Sequence, residues 1–225
     1  MDQSYRQFHL CFQRSLKESN PDLDDLFKSV TEQVEGLYTH WFLDGLGQNW
    51  TTACAENLEQ YGHILEIPQQ EDFYNTKIRP ADNRIYVIVS DAFRYEVAAA
   101  LAEDLQREMQ CKVSLSSCEG LLPTVTKFGM AALLPHKKLS AVLRENGTLA
   151  VLADGQPTDA GYRDGILKST NPNSVALKYD DLIVLKREER QALVRGMDVV
   201  YIYHDAVDKA SHTSDSAVFT ACDEA

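Results

Sequence analysis

Four side chains carry the chemistry that this sequence can offer, and each stands where an apolar run gives way to polar residues. The run Ile85–Val89 is uninterrupted and passes through Ser90 into Asp91, before a helical pattern that begins at Ala92. Open parallel sheets present their ligand sites at the carboxyl ends of strands, so a carboxylate there is placed for a divalent cation. The competing reading is that Asp91, or Ser90, caps the following helix. A second run, Val199–Tyr203, leads into His204, Asp205, Asp208 and His212. Asp208 and His212 are four residues apart, which on a helical turn sets both on one face. An oxygen and an imidazole donor together suit zinc or manganese; otherwise these are solvated groups of a polar loop. A third stretch, CEGLLPTVTKFGMAALLPH, places Thr124 and Thr126 before an apolar helix expected over Phe128–Leu134. A hydroxyl near a helix N-terminus is set for an anion, or is simply its cap.

The elements that would position these groups divide the chain in two. Through about Gln70 the apolar residues fall at helical spacing, as in Phe27, Val30, Val34 and Leu37, and the acidic stretch from Asn20 suits a helix start. Pro68–Asn83 has no apolar period and reads as a linker or surface crossing. After Arg84 the order becomes strand, turn, helix. Ile85–Val89, Leu149–Leu152 and Val199–Tyr203 are continuous apolar runs, as expected of strands buried on both faces of a parallel sheet. The stretch 154–173, with three Gly and two Pro, reads as a long loop or insertion. The expected division is a helical segment and linker over 1–80 and an α/β domain over 81–225.

With 44% hydrophobic residues and no run approaching the ~18 apolar residues of a membrane span, a globular chain without a membrane segment is expected. The first residues lack the basic-then-apolar order of a secretory signal, which places the chain in the cytoplasm. Its formal charge of −12 repels a phosphate backbone, so direct nucleic-acid binding is not expected. Five cysteines at wide spacings read as reduced, mostly buried thiols.

The segments VIVSDAFRYEVAAALAEDL, LLPTVTKFGMAALLPH and VVYIYHDAVDKASHT, in this order, resemble the PglZ domain of BREX-type bacteriophage defence systems, a branch of the alkaline phosphatase superfamily. The resemblance runs from about Tyr74 to the last residue. It implies an α/β/α sandwich with a mostly parallel sheet, preceded by an all-helical segment. It also implies a metal-dependent phosphatase or phosphodiesterase with a divalent metal, zinc foremost and manganese next, and other BREX proteins as partners. Asp91 matches the first metal ligand. Thr126 matches the metal-bound nucleophile, because Pro123-Thr124-Val125-Thr126 is similar to the Pro-Thr-x-Thr of related pyrophosphatases and phosphodiesterases. Asp208 and His212 match the superfamily's Asp-x-x-x-His ligand pair, although PglZ members often carry an acid where His212 stands. The Thr-Ala-Asp-His-Gly that completes the family's site has no counterpart here, and Val218, Phe219 and Cys222 read as a helix still under way. The chain is therefore expected to be a fragment. The alternative function is a non-catalytic structural or interaction subunit of a phage-defence complex that retains the fold.

Overall fold

A computed structural model describes residues 1–17, 23–108, 111–213 and 215–224. In chain order its elements are helices α1 (Asp2–Lys17) and α2 (Asp24–Gly36), a π-helical stretch (Leu37–Leu43), α3 (Asp44–Tyr61), strand β1 (Ile85–Ser90), α4 (Tyr95–Glu108) and α5 (Thr126–Ala132). There follow β2 (Leu139–Leu143), β3 (Leu149–Ala153), β4 (Gln156–Pro157), α6 (Arg163–Thr170), β5 (Ser174–Lys178), α7 (Tyr179–Ile183), α8 (Arg187–Val194), β6 (Val199–His204), α9 (Ala206–Ser211) and α10 (Asp215–Glu224). They form two compact units, one of Met1–Glu66, Ala92–Ser116 and Ala206–Ala225, the other of Ile67–Asp91 and Ser117–Asp205.

The first unit is helical, as the leader's periodicity predicts. Asp24 and Asp25 lie in the first turn of α2, where carboxylates meet the positive end of the helix dipole; the Asn20–Asp22 part of the acidic stretch lies outside the described residues. Helical geometry then continues through the π-helical stretch to Tyr61, where Gly62 at φ 73° turns the chain left-handed and its N–H bonds back to the Leu58 carbonyl. The apolar stripe of α2 is only partly covered, with Leu26 60% exposed. The core of this unit is Val97 of α4, Val207 of α9, and Val218 and Cys222 of α10, with Phe93 against them. Beside it the buried Arg6 of α1 pairs with Asp223 of α10 at 2.5 Å.

The second unit is an α/β body. β6 lies between β1 and β5, all parallel, and Tyr201, Val200, Leu134 and Leu167 are among its fully buried side chains. The Tyr201 hydroxyl donates to the Leu133 carbonyl at 2.8 Å, tying the central strand to the end of α5. Of the three runs expected to be buried on both faces, β6 comes nearest. β1 alternates instead, with Val87 and Val89 buried and Tyr86 and Ile88 50% and 67% exposed.

Leu149–Leu152 is a strand but not a parallel one. It pairs antiparallel with β2 and β4 in a second sheet. Asn146-Gly147 lies in the turn between β2 and β3, with Gly147 at φ 76°, and such a dipeptide between apolar runs is a hairpin signal. The run is continuous because α5 packs on β3, which covers a strand as thoroughly as a parallel layer would. The stretch 154–173 is likewise no long loop, since it holds β4 and α6, whose Ile166 and Leu167 are buried. Pro68–Asn83 is more than a surface crossing: Tyr74 and Ile78 lie one wide helical turn apart, and both are buried in the core. Two anchors in sixteen residues leave no period to read. Of the five free cysteines only Cys54 and Cys222 are buried, while Cys11, Cys111 and Cys118 are exposed, so most of the thiols are not core groups. Among the described residues no helix is long and apolar enough to cross a membrane.

Candidate active site

Asp91 stands one residue beyond β1. Its N–H donates to the His204 carbonyl at 2.8 Å, which continues the β1–β6 ladder past the Ser90–His204 pair. The next residue, Ala92, has φ 57°, a left-handed conformation that costs a residue with a Cβ about 1–2 kcal/mol. That turn ends the strand sharply, and α4 begins only at Tyr95. The residue directly before the helix is thus Arg94, and a helix beginning at Ala92 is not formed. Asp91 itself is half-buried at the carboxyl end of a parallel strand.

Beside it is a pair the sequence reading passed over. Ser90 Oγ and His204 Nδ1 share a hydrogen bond at 2.8 Å, and Tyr179 meets the imidazole edge-on with ring centroids 4.9 Å apart. His204 is only 9% exposed. Each of the two is the last residue of its strand, and parallel pairing sets them side by side. That signal becomes readable once the two strands are known to be neighbours.

Thr126 is the first residue of α5, which runs over Thr126–Ala132 rather than Phe128–Leu134. Val125, extended at φ −107°, occupies the cap position and makes no side-chain cap bond. Thr126 therefore sits inside the helix and is not its cap. It is exposed, and among the described residues its hydroxyl makes no hydrogen bond. The loop before it is held by the Gln70 side chain, which accepts from the Leu121 N–H at 3.1 Å.

Asp208 and His212 are brought together as their spacing predicts. Asp208 lies in α9, and His212 follows the last helical residue, with Nε2 3.7 Å from Asp208 Oδ2. Neighbouring donors of a tetrahedral zinc shell lie about 3.3–3.4 Å apart, given bonds near 2.0–2.1 Å, so a small rotamer change would let the pair share one cation. The resemblance to the alkaline phosphatase superfamily implies a divalent metal, and carboxylate, hydroxyl and imidazole donors suit a hard or borderline ion. Two donors do not complete a shell. Among the described residues no group of three or more His, Cys, Asp or Glu converges. Asp91 and Thr126 belong to the second compact unit, Asp208 and His212 to the first.

Residues 73–225 match the BREX system PglZ alkaline phosphatase-like domain. The chain belongs to the PglZ family. Over 206 residues it is 39% identical to the alkaline phosphatase-like protein BrxZ of Escherichia coli O9:H4 (strain HS), covering 88% of this chain and 23% of that protein. It is also 32% identical over 211 residues to the alkaline phosphatase-like protein PglZ of Bacillus cereus (strain H3081.97), covering 92% of this chain and 24% of that one. The chain thus spans about a quarter of the length of the curated relatives it matches. Membership agrees with the α/β unit and its parallel sheet.

Proposed function

We propose that this PglZ-family chain carries part of the site of a metal-dependent phosphatase or phosphodiesterase of a BREX phage-defence system, with Thr126 as nucleophile. The observation that carries the reading is the state of Thr126, which is exposed at the first residue of α5 with an uncommitted hydroxyl. It follows the Pro-Thr-Val sequence that resembles the nucleophile turn of related phosphodiesterases. Asp208 with His212, and separately Asp91, would supply donors to a metal, zinc or manganese by donor type. When bound, the metal would supply Lewis acidity that lowers the hydroxyl's pKa and offsets charge on phosphate oxygens.

The remaining work falls to the chain. Thr126 Oγ1 attacks phosphorus, the bond from phosphorus to the leaving oxygen breaks, and the hydroxyl proton passes to solvent at this exposed position. Water then cleaves the phosphothreonine ester and restores the hydroxyl. The Ser90–His204 pair and the Asp91 N–H bond to His204 fix the end of β1, which limits how far Asp91 can wander. We place the chain in the cytoplasm beside other BREX proteins.

The test is Thr126→Ala in a protein of the relatives' full length that carries this sequence. Hydrolysis of an aryl phosphodiester should fall by about 10³-fold or more, with the melting temperature nearly unchanged because the Thr126 hydroxyl makes no hydrogen bond among the described residues. Retained activity would move the nucleophile to Thr124 or end the reading.

A further inference from the structure

We infer that the second unit holds a separate site for a nucleoside phosphate, in a cleft between the hairpin strands β2 and β3, the start of α5 and the segment around Tyr74. The cleft encloses about 600 Å³, within the range of small-ligand sites. Its walls differ in kind, and the difference selects the ligand. Arg79, Lys137 and Lys138 line it, and none of the three forms an ion pair among the described residues. In a chain of net charge −12, three cations and His136 against the two carboxylates Glu71 and Asp72 make this cleft less repulsive to an anion than the acidic chain as a whole. Guanidinium and ammonium groups recognise phosphate through charge-assisted hydrogen bonds.

The lysines are held in place by the backbone. The Asp154 carboxylate accepts from the Lys137 N–H at 3.0 Å and the Lys138 N–H at 2.9 Å, and the Asp154 N–H donates to the Lys138 carbonyl at 2.9 Å. Asp154 itself lies at φ 48°, so a strained turn is spent on fixing this corner. Those backbone bonds hold its carboxyl below the usual range. The neighbouring His136 also lines the cleft. Its Nδ1 lies 2.7 Å from the Leu134 carbonyl, and since a carbonyl only accepts, Nδ1–H donates and Nε2 is the nitrogen available to a ligand.

A bare anion would leave the rest of the cleft unused. Phe128 and Leu121, half-buried, give it an apolar wall suited to a ring face, and Glu71 and Asp72 on the rim accept from hydroxyls or an exocyclic amine. A phosphate joined to a sugar and a base satisfies all three walls. Thr126 does not line the cleft, so the inference stands apart from the proposed reaction.

The experiment is calorimetric titration of the whole chain with adenosine 5′-monophosphate at low salt without divalent ions, with inorganic phosphate and adenosine as separate arms. The nucleotide should bind saturably and at least tenfold tighter than either part. Lys137→Ala with Lys138→Ala should weaken it at least tenfold, about 1.4 kcal/mol, with unchanged circular dichroism, because the bonds to Asp154 use backbone N–H groups. If that double variant loses structure, the exposed Arg79→Ala carries the same expectation. Absence of saturable nucleotide binding, phosphate binding as tight as the nucleotide's, or variants that bind like the parent would each overturn the proposal.

Discussion

Replacing Ser90 by alanine removes one hydroxyl and leaves the strands that carry it intact. Ser90 shares a 2.8 Å hydrogen bond with His204 Nδ1, and His204 is 9% exposed, so little water can replace the lost partner. Leaving a buried polar group without a partner costs about 1–3 kcal/mol. At roughly 2–4 °C per kcal/mol for a chain of this size, the melting temperature should fall by about 2–12 °C. Trp41 and Trp50 both belong to the first compact unit, so their fluorescence would follow the wrong part of the molecule. Hydrogen exchange at β1 and β6 amides reports the second unit. A double-mutant cycle with His204→Ala should return a coupling of about 1 kcal/mol, as expected of directly bonded partners. A Ser90→Ala protein within about 0.3 kcal/mol of the parent, or a cycle without coupling, would refute the idea that this pair fixes the strand ends.

Asp91→Asn and Asp208→Asn should each lower bound zinc or manganese by elemental analysis, because an amide is a poorer donor than a carboxylate; unchanged content would count against both as ligands. Alkaline pH should loosen the fold in a defined window. Burial pushes Tyr203 up to about 12 against the pull of Arg163, and burial with the Asp2 hydrogen bond pushes Tyr38 up to about 12. Both folded values exceed the ordinary phenol value near 10, so their stabilisation is complete below that pH and is lost as pH rises towards about 12. Phenolate absorbance and circular dichroism followed together check this, and tyrosines titrating freely near 10 without loss of structure would contradict it. Asp223→Ala should destabilise the helical unit by about 1–3 kcal/mol in urea melts, less than a fully buried pair because Asp223 is 37% exposed while Arg6, at 8%, is left uncompensated.

Local pattern reached some features and missed others for identifiable reasons. The ends of β1 and β6 were legible because a continuous apolar run stopped at polar groups, and the approach of Asp208 to His212 was legible because helical spacing is a local rule. The hairpin that holds β3 was not read, although Asn146-Gly147 announces it, because an apolar run covered by a helix looks the same whichever way its neighbours point. Tyr74 and Ile78 are not legible in the sequence, since two anchors make no period. The Ser90–His204 bond joins residues 114 positions apart, and only the strand register brings them together. Thr126 was expected before its helix and lies within it, a shift of two residues that removes its capping role and leaves the hydroxyl uncommitted.

The most direct test of the phosphoesterase reading is to stop turnover of an aryl phosphodiester with acid and locate any phosphorylated side chain by peptide mass spectrometry. A protein of the relatives' full length carrying this sequence should yield a phosphoester on Thr126, absent from Thr126→Ala along with the hydrolysis. Hydrolysis that persists in Thr126→Ala, with no phosphoester on that peptide in the parent, would contradict the account.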